Sequence, residues 1–220
     1  DVETANTLTA GIVITPTAIE NFEITFDYWD IKLSNMIDSF NVGTIVASCP
    51  EQESLDNQFC NLLTRQDNGV ITDVALKTLN LNERRTRGLD IIMNYSFDVF
   101  GGEVAINSIT QKLIARDIQT DPTLDLVSTV GLYGSPEWKS SLNLSYDYQG
   151  SRLGISTRFV GKQKSRLTNT PSIMTHHETP TMLYTDVNFS YKIDDNLSIN
   201  MGVDNLFDKK TPQMPNAYSG

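Results

Sequence analysis

The chain of 220 residues has little of several things: two cysteines, two histidines and two tryptophans. No stretch approaches the ~18 consecutive apolar residues that a membrane-spanning helix needs. Hydrophobic residues make up only 39%, so a bundle of membrane helices is excluded. Cations are scarce, with 17 Lys plus Arg against 27 Asp plus Glu and a formal net charge of −10, which argues against a nucleic-acid partner. No basic-then-apolar signal segment opens the chain. Its first residues, DVETANTLTAGIVIT, already read as a strand, which predicts a start cut from a longer protein. His176 and His177 lie together in one loop, and no Gly-x-Ser-x-Gly nucleophile motif occurs. No enzyme, cofactor or resident metal is expected. Cys49 and Cys60 fit neither a zinc pattern nor Cys-x-x-Cys; a single loop disulfide formed in an oxidising compartment is the expectation.

What the chain does have is alternation. In EWKSSLNLSYDYQG, Trp138, Ser140, Leu142, Leu144, Tyr146 and Tyr148 fall on one side of an extended chain, and Lys139, Ser141, Asn143, Ser145, Asp147 and Gln149 on the other. The pattern recurs at Leu183, Thr185, Val187, Phe189, Tyr191 and Ile193, and again at Leu197, Ile199, Met201 and Val203. It is also present at Leu89, Ile91, Met93, Tyr95 and Phe97, and at Leu153, Ile155 and Phe159. In the strand opening with Phe22, Ile24, Phe26 and Tyr28, the apolar phase slips to Trp29, Ile31 and Leu33, as at a β-bulge. Trp138 to Tyr148 alone gives eleven regular positions, against ~5–6 in a usual strand and ~9–11 in one that crosses a bilayer. Tyr28, Trp29, Tyr95, Trp138, Tyr146, Tyr148, Tyr184 and Tyr191 are candidates for interfacial aromatic girdles.

Connections alternate as well. Tight turns at Thr17–Asn21, Val99–Gly102, Gln149–Ser151 and Asp194–Asn196 take turns with long segments at Asp38–Lys77, Asp117–Gly134, Leu167–Pro180 and Asp208–Gly220. Outer-membrane barrels follow that rule. Counting strand directions from the turns predicts eight spanning strands, including one long strand over Lys77–Phe97. It leaves Gly69–Val74 as a hairpin arm within the first long loop, where Glu51–Leu63 has helix-like spacing. Alternation alone also fits a soluble β-sandwich, for instance a carbohydrate-binding module.

Three segments carry a resemblance. MGVDNLFDKKTP (Met201–Pro212) resembles the C-terminal signature of TonB-dependent outer-membrane receptors, with its Asn-Leu-Phe-Asp-Lys run at Asn205–Lys209. TPTAIENFEITFDYWDIKLSNMI resembles the family's turn and following strand, and NLNERRTRGLDIIMNYSF its Gly-Leu-Asp strand, with Gly88 and Asp90 in place. The resemblance implies an antiparallel transmembrane β-barrel fragment, about eight strands of a 22-stranded barrel. Residues 1–220 would be its C-terminal part, without the plug domain, the energy-coupling TonB box or the final strand. It implies the outer membrane as location and its lipid bilayer as a partner. It further implies a TonB complex acting through the absent plug region, and a scarce nutrient such as a siderophore, carbohydrate or cobalamin as cargo.

The candidate substrate-binding residues are cationic. Arg84, Arg85 and Arg87 stand near the mouth of one strand. Arg158, Lys162 and Lys164 share the wet face of another with Arg152, and Arg166 follows. Such a patch suits an anionic substrate, or acids of a plug. His176 and His177 are candidates for a ferric-chelate contact. Asp204, Asn205, Leu206, Phe207 and Asp208 are expected to be structural, bonding neighbouring backbone and anchoring a strand end.

Overall fold

The computed structural model describes residues 2–50, 54–119, 125–164 and 178–212, with residues 79–82 described by backbone only. It contains β1 (Thr4–Ile14), β2 (Phe22–Ser39), the helix α1 (Val42–Ser48), β3 (Leu63–Arg65), β4 (Ile71–Val74), β5 (Thr78–Val99) and β6 (Gly102–Ile118). These are followed by β7 (Val127–Ser128), β8 (Trp138–Tyr148), β9 (Ser151–Val160), β10 (Gln163–Lys164), β11 (Glu178–Thr179), β12 (Met182–Lys192) and β13 (Ser198–Val203). The eight long strands form one sheet in the order β1-β2-β5-β6-β8-β9-β12-β13, with β7 on β6 as a ninth strand. This is the path the turn count predicts, long β5 included. β3 and β4 form a separate hairpin, as do β10 and β11. No second large sheet exists among the described residues, which removes the sandwich.

Turn chemistry sets the short connections. Phe100 and Gly101 (φ 49° and 78°), and Gln149 and Gly150 (φ 46° and 78°), are left-handed in pairs, the conformation that matches strand twist in two-residue hairpins. At the last turn, Asp194 Oδ1 accepts hydrogen bonds from the backbone N–H of Asn196 (2.7 Å) and Leu197 (2.9 Å), an Asx turn.

The chain divides into two compact units. One comprises Asp1–Thr7, Ile31–Thr86 and Arg116–Ser128. Its hydrophobic core lies in the long loop and joins Phe40, Ile45, Cys49, Phe59 and Leu62. Phe40 and Phe59 meet edge to face at 5.4 Å, and a Cys49–Cys60 disulfide closes the loop. The loop helix falls upstream of the segment the sequence spacing points to. Asn41 caps α1 by accepting from the Thr44 N–H. Within Glu51–Leu63 only Cys60–Leu62 is helical among the described residues, as one 3₁₀ turn. Asn57 explains the difference: its Oδ1 accepts from the N–H of Phe59 and Cys60, and its Nδ2 donates to the carbonyls of Ser54 and Cys49. A side chain that takes up backbone groups in this way competes with a helix.

The other unit comprises Leu8–Asp30, Arg87–Ala115 and Thr129–Gly220. Here strand register builds continuous rows. Ile106, Leu144, Ile155, Val187 and Val203 are paired across five strands, and Val104, Tyr146, Leu153, Phe189 and Met201 form the next apolar row on that face. A one-residue slip would turn a whole strand's apolar set to the other side. The apolar rows are not a packed core: Leu144 is 38% exposed, Leu183 52% and Met201 59%. An apolar face this wide and this open marks contact with something outside the chain.

The phase slip in β2 is not a bulge. Glu23 meets Asn94 through its Oε1, and the Trp29 ring lies against Gly88. Six positions separate the partners on each strand, which leaves no inserted residue between Glu23 and Trp29. Trp29 therefore stands on the polar face, as does Tyr184, opposite Arg158. Neither belongs to an outward girdle. Phe22, Tyr95 and Phe97 cluster with ring centroids at 5.8 and 5.1 Å, and Tyr146 stacks with Tyr148 at 6.3 Å; these aromatics lie close to the short turns.

Candidate functional site

The polar face of the second unit is the candidate site. Asn107, Asn143, Ser156 and Asp186 are paired across four strands, followed by Ile109, Ser141, Arg158 and Tyr184, then Gln111, Lys139, Val160 and Met182. A concavity of about 430 Å³ lies over the last two rows, lined by Asp90, Gln111, Lys139, Ser141 and Arg158 among others.

Each wall residue is held by its neighbours. Asp90 accepts from Trp29 Nε1–H at 3.1 Å through one oxygen and from Gln111 Nε2 at 3.2 Å through the other. The indole reaches Asp90 because Gly88 has no side chain: a Cβ there would stand 2.2 Å from Trp29 Cζ2. Arg158 donates to both oxygens of Asp186, at 3.1 and 3.5 Å, and its guanidinium lies 5.8 Å from the Tyr184 ring centroid. Asp186 Oδ1 also accepts from the backbone N–H of Asn205 at 2.7 Å. Lys139 has no carboxylate within ion-pair distance among the described residues. The wall thus offers one free cation, one clamped cation, a held carboxylate, an amide and a hydroxyl. It can hydrogen-bond an anionic or polyhydroxylated solute. It contains no nucleophile joined to a base, and no group of three or more His, Cys, Asp or Glu residues suited to a metal ion occurs among the described residues.

The structure disperses the cations marked in the sequence. Arg84 and Arg85 are adjacent in β5, so they point to opposite faces. Arg87 is one residue out of phase with Gly88 and so lies on the face opposite Asp90. Of these marked cations, Arg158 alone lines the concavity among the described residues. β9 ends at Val160 and the chain resumes a strand at Gln163; the break takes Lys162 out of phase, into a different cavity with Trp138 and Phe159. Arg166, His176 and His177 lie outside the described residues. Lys139 is the cation that sequence reasoning missed, although the alternation beginning at Trp138 already placed it on the wet side.

The Asn205–Lys209 run forms a turn. Asn205 is left-handed, with φ 52°. Its Oδ1 accepts from the Lys209 N–H at 2.9 Å and its Nδ2 donates to the Lys209 carbonyl at 3.2 Å. The Leu206 N–H donates to the Thr185 carbonyl at 2.7 Å, while Phe207 is 73% exposed.

The sequence model of the family described as TonB dependent receptor-like, beta-barrel matches residues 1–206. No curated protein matches the chain. Among solved structures, a ferric enterobactin receptor (PfeA) of Pseudomonas aeruginosa is 17% identical with a TM-score of 0.61, over 94% of this chain and 26% of that one. The siderophore receptor PirA of Acinetobacter baumannii is 17% identical with a TM-score of 0.59, over 94% and 28%. The FrpB iron transporter of Neisseria meningitidis is 15% identical with a TM-score of 0.55, over 94% and 27%. The chain therefore spans little more than a quarter of each of these proteins, and at such identities the likeness is one of fold.

Proposed function

The chain belongs to the family of TonB-dependent receptor-like β-barrels, and we propose that it supplies eight consecutive wall strands, with their outer loops, in the C-terminal part of a larger active-transport barrel. Family membership makes it an outer-membrane chain and a receptor rather than an enzyme. The observation that carries the reading is the single sequential sheet, with one face of continuous exposed apolar rows and the other of polar rows. The apolar face meets hydrocarbon, and the polar face lines the interior.

In this reading a scarce nutrient is captured by outer loops and plug, and TonB-transmitted energy moves the plug to admit it. The similar structures are receptors or transporters of iron or its siderophore complexes, which supports a ferric siderophore as the first cargo to test, ahead of carbohydrate or cobalamin. Lys139 and Arg158 are the wall cations that would meet an anionic chelate or acidic plug residues. The test is accumulation of labelled ferric siderophores by cells expressing the intact receptor, with and without TonB. Energy-dependent uptake is expected only with TonB; equal uptake without it would refute the mechanism.

A further inference from the structure

The concavity on the polar face has an apolar floor. Asn107 bonds Asn94, and Gln111 bonds Asp90, through their side chains. Four positions separate these partners on each strand, so Ile92 and Ile109 stand side by side between the two bonds. Both line the concavity, and Val160 lies beside Lys139 in the next row. They share the face of Asp90, apart from the lipid-facing rows, and Ile109 is 54% exposed. Apolar side chains framed by a few fixed polar groups are the composition of a small-molecule site. A volume of about 430 Å³ lies at the small end of the ~300–1,000 Å³ usual for such sites.

The polar groups differ in what they ask of a ligand. Lys139 has no carboxylate within ion-pair distance among the described residues, so it offers its charge to an anion. Asp90 already accepts from Trp29 and Gln111, one bond at each oxygen, and each oxygen keeps a further lone pair. An ionised carboxylate only accepts, so the next partner of Asp90 must bring an O–H or N–H. Gln111 stands between the two, bonded to Asp90 on β5 and paired with Lys139 on β8. Across two strand spacings the backbones of Asp90 and Lys139 are about 10 Å apart. Side chains reaching inward from both leave the length of one ring with a substituent at each end. A ferric chelate can meet Lys139 and Arg158 but leaves Asp90 unused, because its metal-bound oxygens have given up their protons. An uncharged sugar makes no use of Lys139.

We infer that the concavity binds an uncomplexed hydroxylated aromatic carboxylate, with the carboxylate on Lys139, the ring on Ile92 and Ile109, and the hydroxyl donating to Asp90. This ligand is a smaller solute than the cargo proposed above. The inference rests on the reading that this face lines the barrel interior.

The test uses the intact receptor in two stages. Cys49 and Cys60 are paired, so Lys139→Cys and Leu144→Cys variants can each be spin-labelled in reconstituted vesicles. Position 139 should be relaxed by a water-soluble nickel chelate and position 144 by oxygen. The reverse result overturns the interior reading, and this inference with it. The detergent-purified receptor is then titrated calorimetrically with 4-hydroxybenzoate, benzoate and phenol, after heat-modifiable gel mobility has shown each variant to be folded. The wild type should bind 4-hydroxybenzoate at one site, and the other two at least about fivefold more weakly. Lys139→Gln should weaken 4-hydroxybenzoate about tenfold and leave phenol as it was. Asp90→Asn should narrow the preference for 4-hydroxybenzoate over benzoate, and Ile109→Ser should weaken all three. Lys192→Gln, at the short-turn end, should change nothing. Absence of saturable 4-hydroxybenzoate binding, phenol bound as tightly as 4-hydroxybenzoate, or a Lys139→Gln variant that binds like the wild type overturns the inference alone. The transport reading is decided separately, by uptake with and without TonB.

Discussion

Replacing Gly88 by alanine adds one methyl group where the Trp29 indole already lies. The new Cβ would stand 2.2 Å from Cζ2, 2.7 Å from Cε2 and 2.9 Å from Cη2 of that ring. Ordinary contact requires the indole to move by about 1 Å, because interiors packed this closely have no slack to absorb the overlap. Such overpacking costs about 1–3 kcal/mol. The movement also breaks the 3.1 Å bond from Trp29 Nε1–H to Asp90, a bond to a carboxylate worth about 1.5–3 kcal/mol when buried and less at this half-buried site. Removing a strand glycine returns about 0.5–1 kcal/mol of backbone entropy. The net expectation is a loss of about 2–4 kcal/mol. Urea unfolding of the detergent-folded receptor gives the value, and the heat-dependent gel shift confirms folding. Of the chain's two tryptophans, Trp138 can be replaced by phenylalanine so that the chain's remaining indole signal is that of Trp29. The decisive measurement is the double-mutant cycle. With Trp29→Ala already present, Gly88→Ala should be neutral or slightly stabilising. If it is as damaging without the indole as with it, the argument from Trp29 is wrong and Gly88 serves backbone geometry alone.

Two further outcomes follow from the same structure. Replacing Cys49 and Cys60 together by serine should remove about 2–3 kcal/mol of loop stability and speed proteolysis within residues 38–77. The heat-modifiable gel mobility of the sheet should stay as it was; unaltered cleavage of that loop would show that Phe40, Ile45, Phe59 and Leu62 hold it without the crosslink. At Asn205, alanine should destabilise the turn more than glycine by about 1 kcal/mol, because both lose the two Lys209 bonds but only glycine accepts the left-handed backbone without penalty. Tryptic cleavage after Lys209 and Lys210 measures this, and a reversed order of the two variants would refute it.

The sheet was legible because its information is local and redundant. A period of two repeated through long strands joined by tight turns, two of them left-handed pairs, leaves one register that gathers most apolar side chains on one side. What escaped were positions fixed by a single long-range contact. The helix α1 is seven residues long and rich in β-branched side chains; its one local signal is Asn41, whereas the stronger helical spacing downstream is cancelled by the backbone bonds of Asn57. Trp29 reads as a bulge from its own strand, since an apolar residue among polar ones looks like a slipped phase. The missing datum is on the next strand, where Gly88 leaves a slot for a ring and Asp90 supplies an acceptor for its N–H. Lys162 keeps the parity of Arg158 on paper, yet Gly161 and Lys162 are not paired as strand, and parity has meaning only while the chain stays extended. The same reasoning separates the two cations physically. Arg158 lies within the continuous part of β9, and Asp186 and Tyr184 fix its direction; Lys162 lies beyond it, two residues before Lys164, whose backbone bonds to Gly131 and Tyr133. Alternation therefore assigns faces reliably in the middle of a long strand and loses that power where the strand ends.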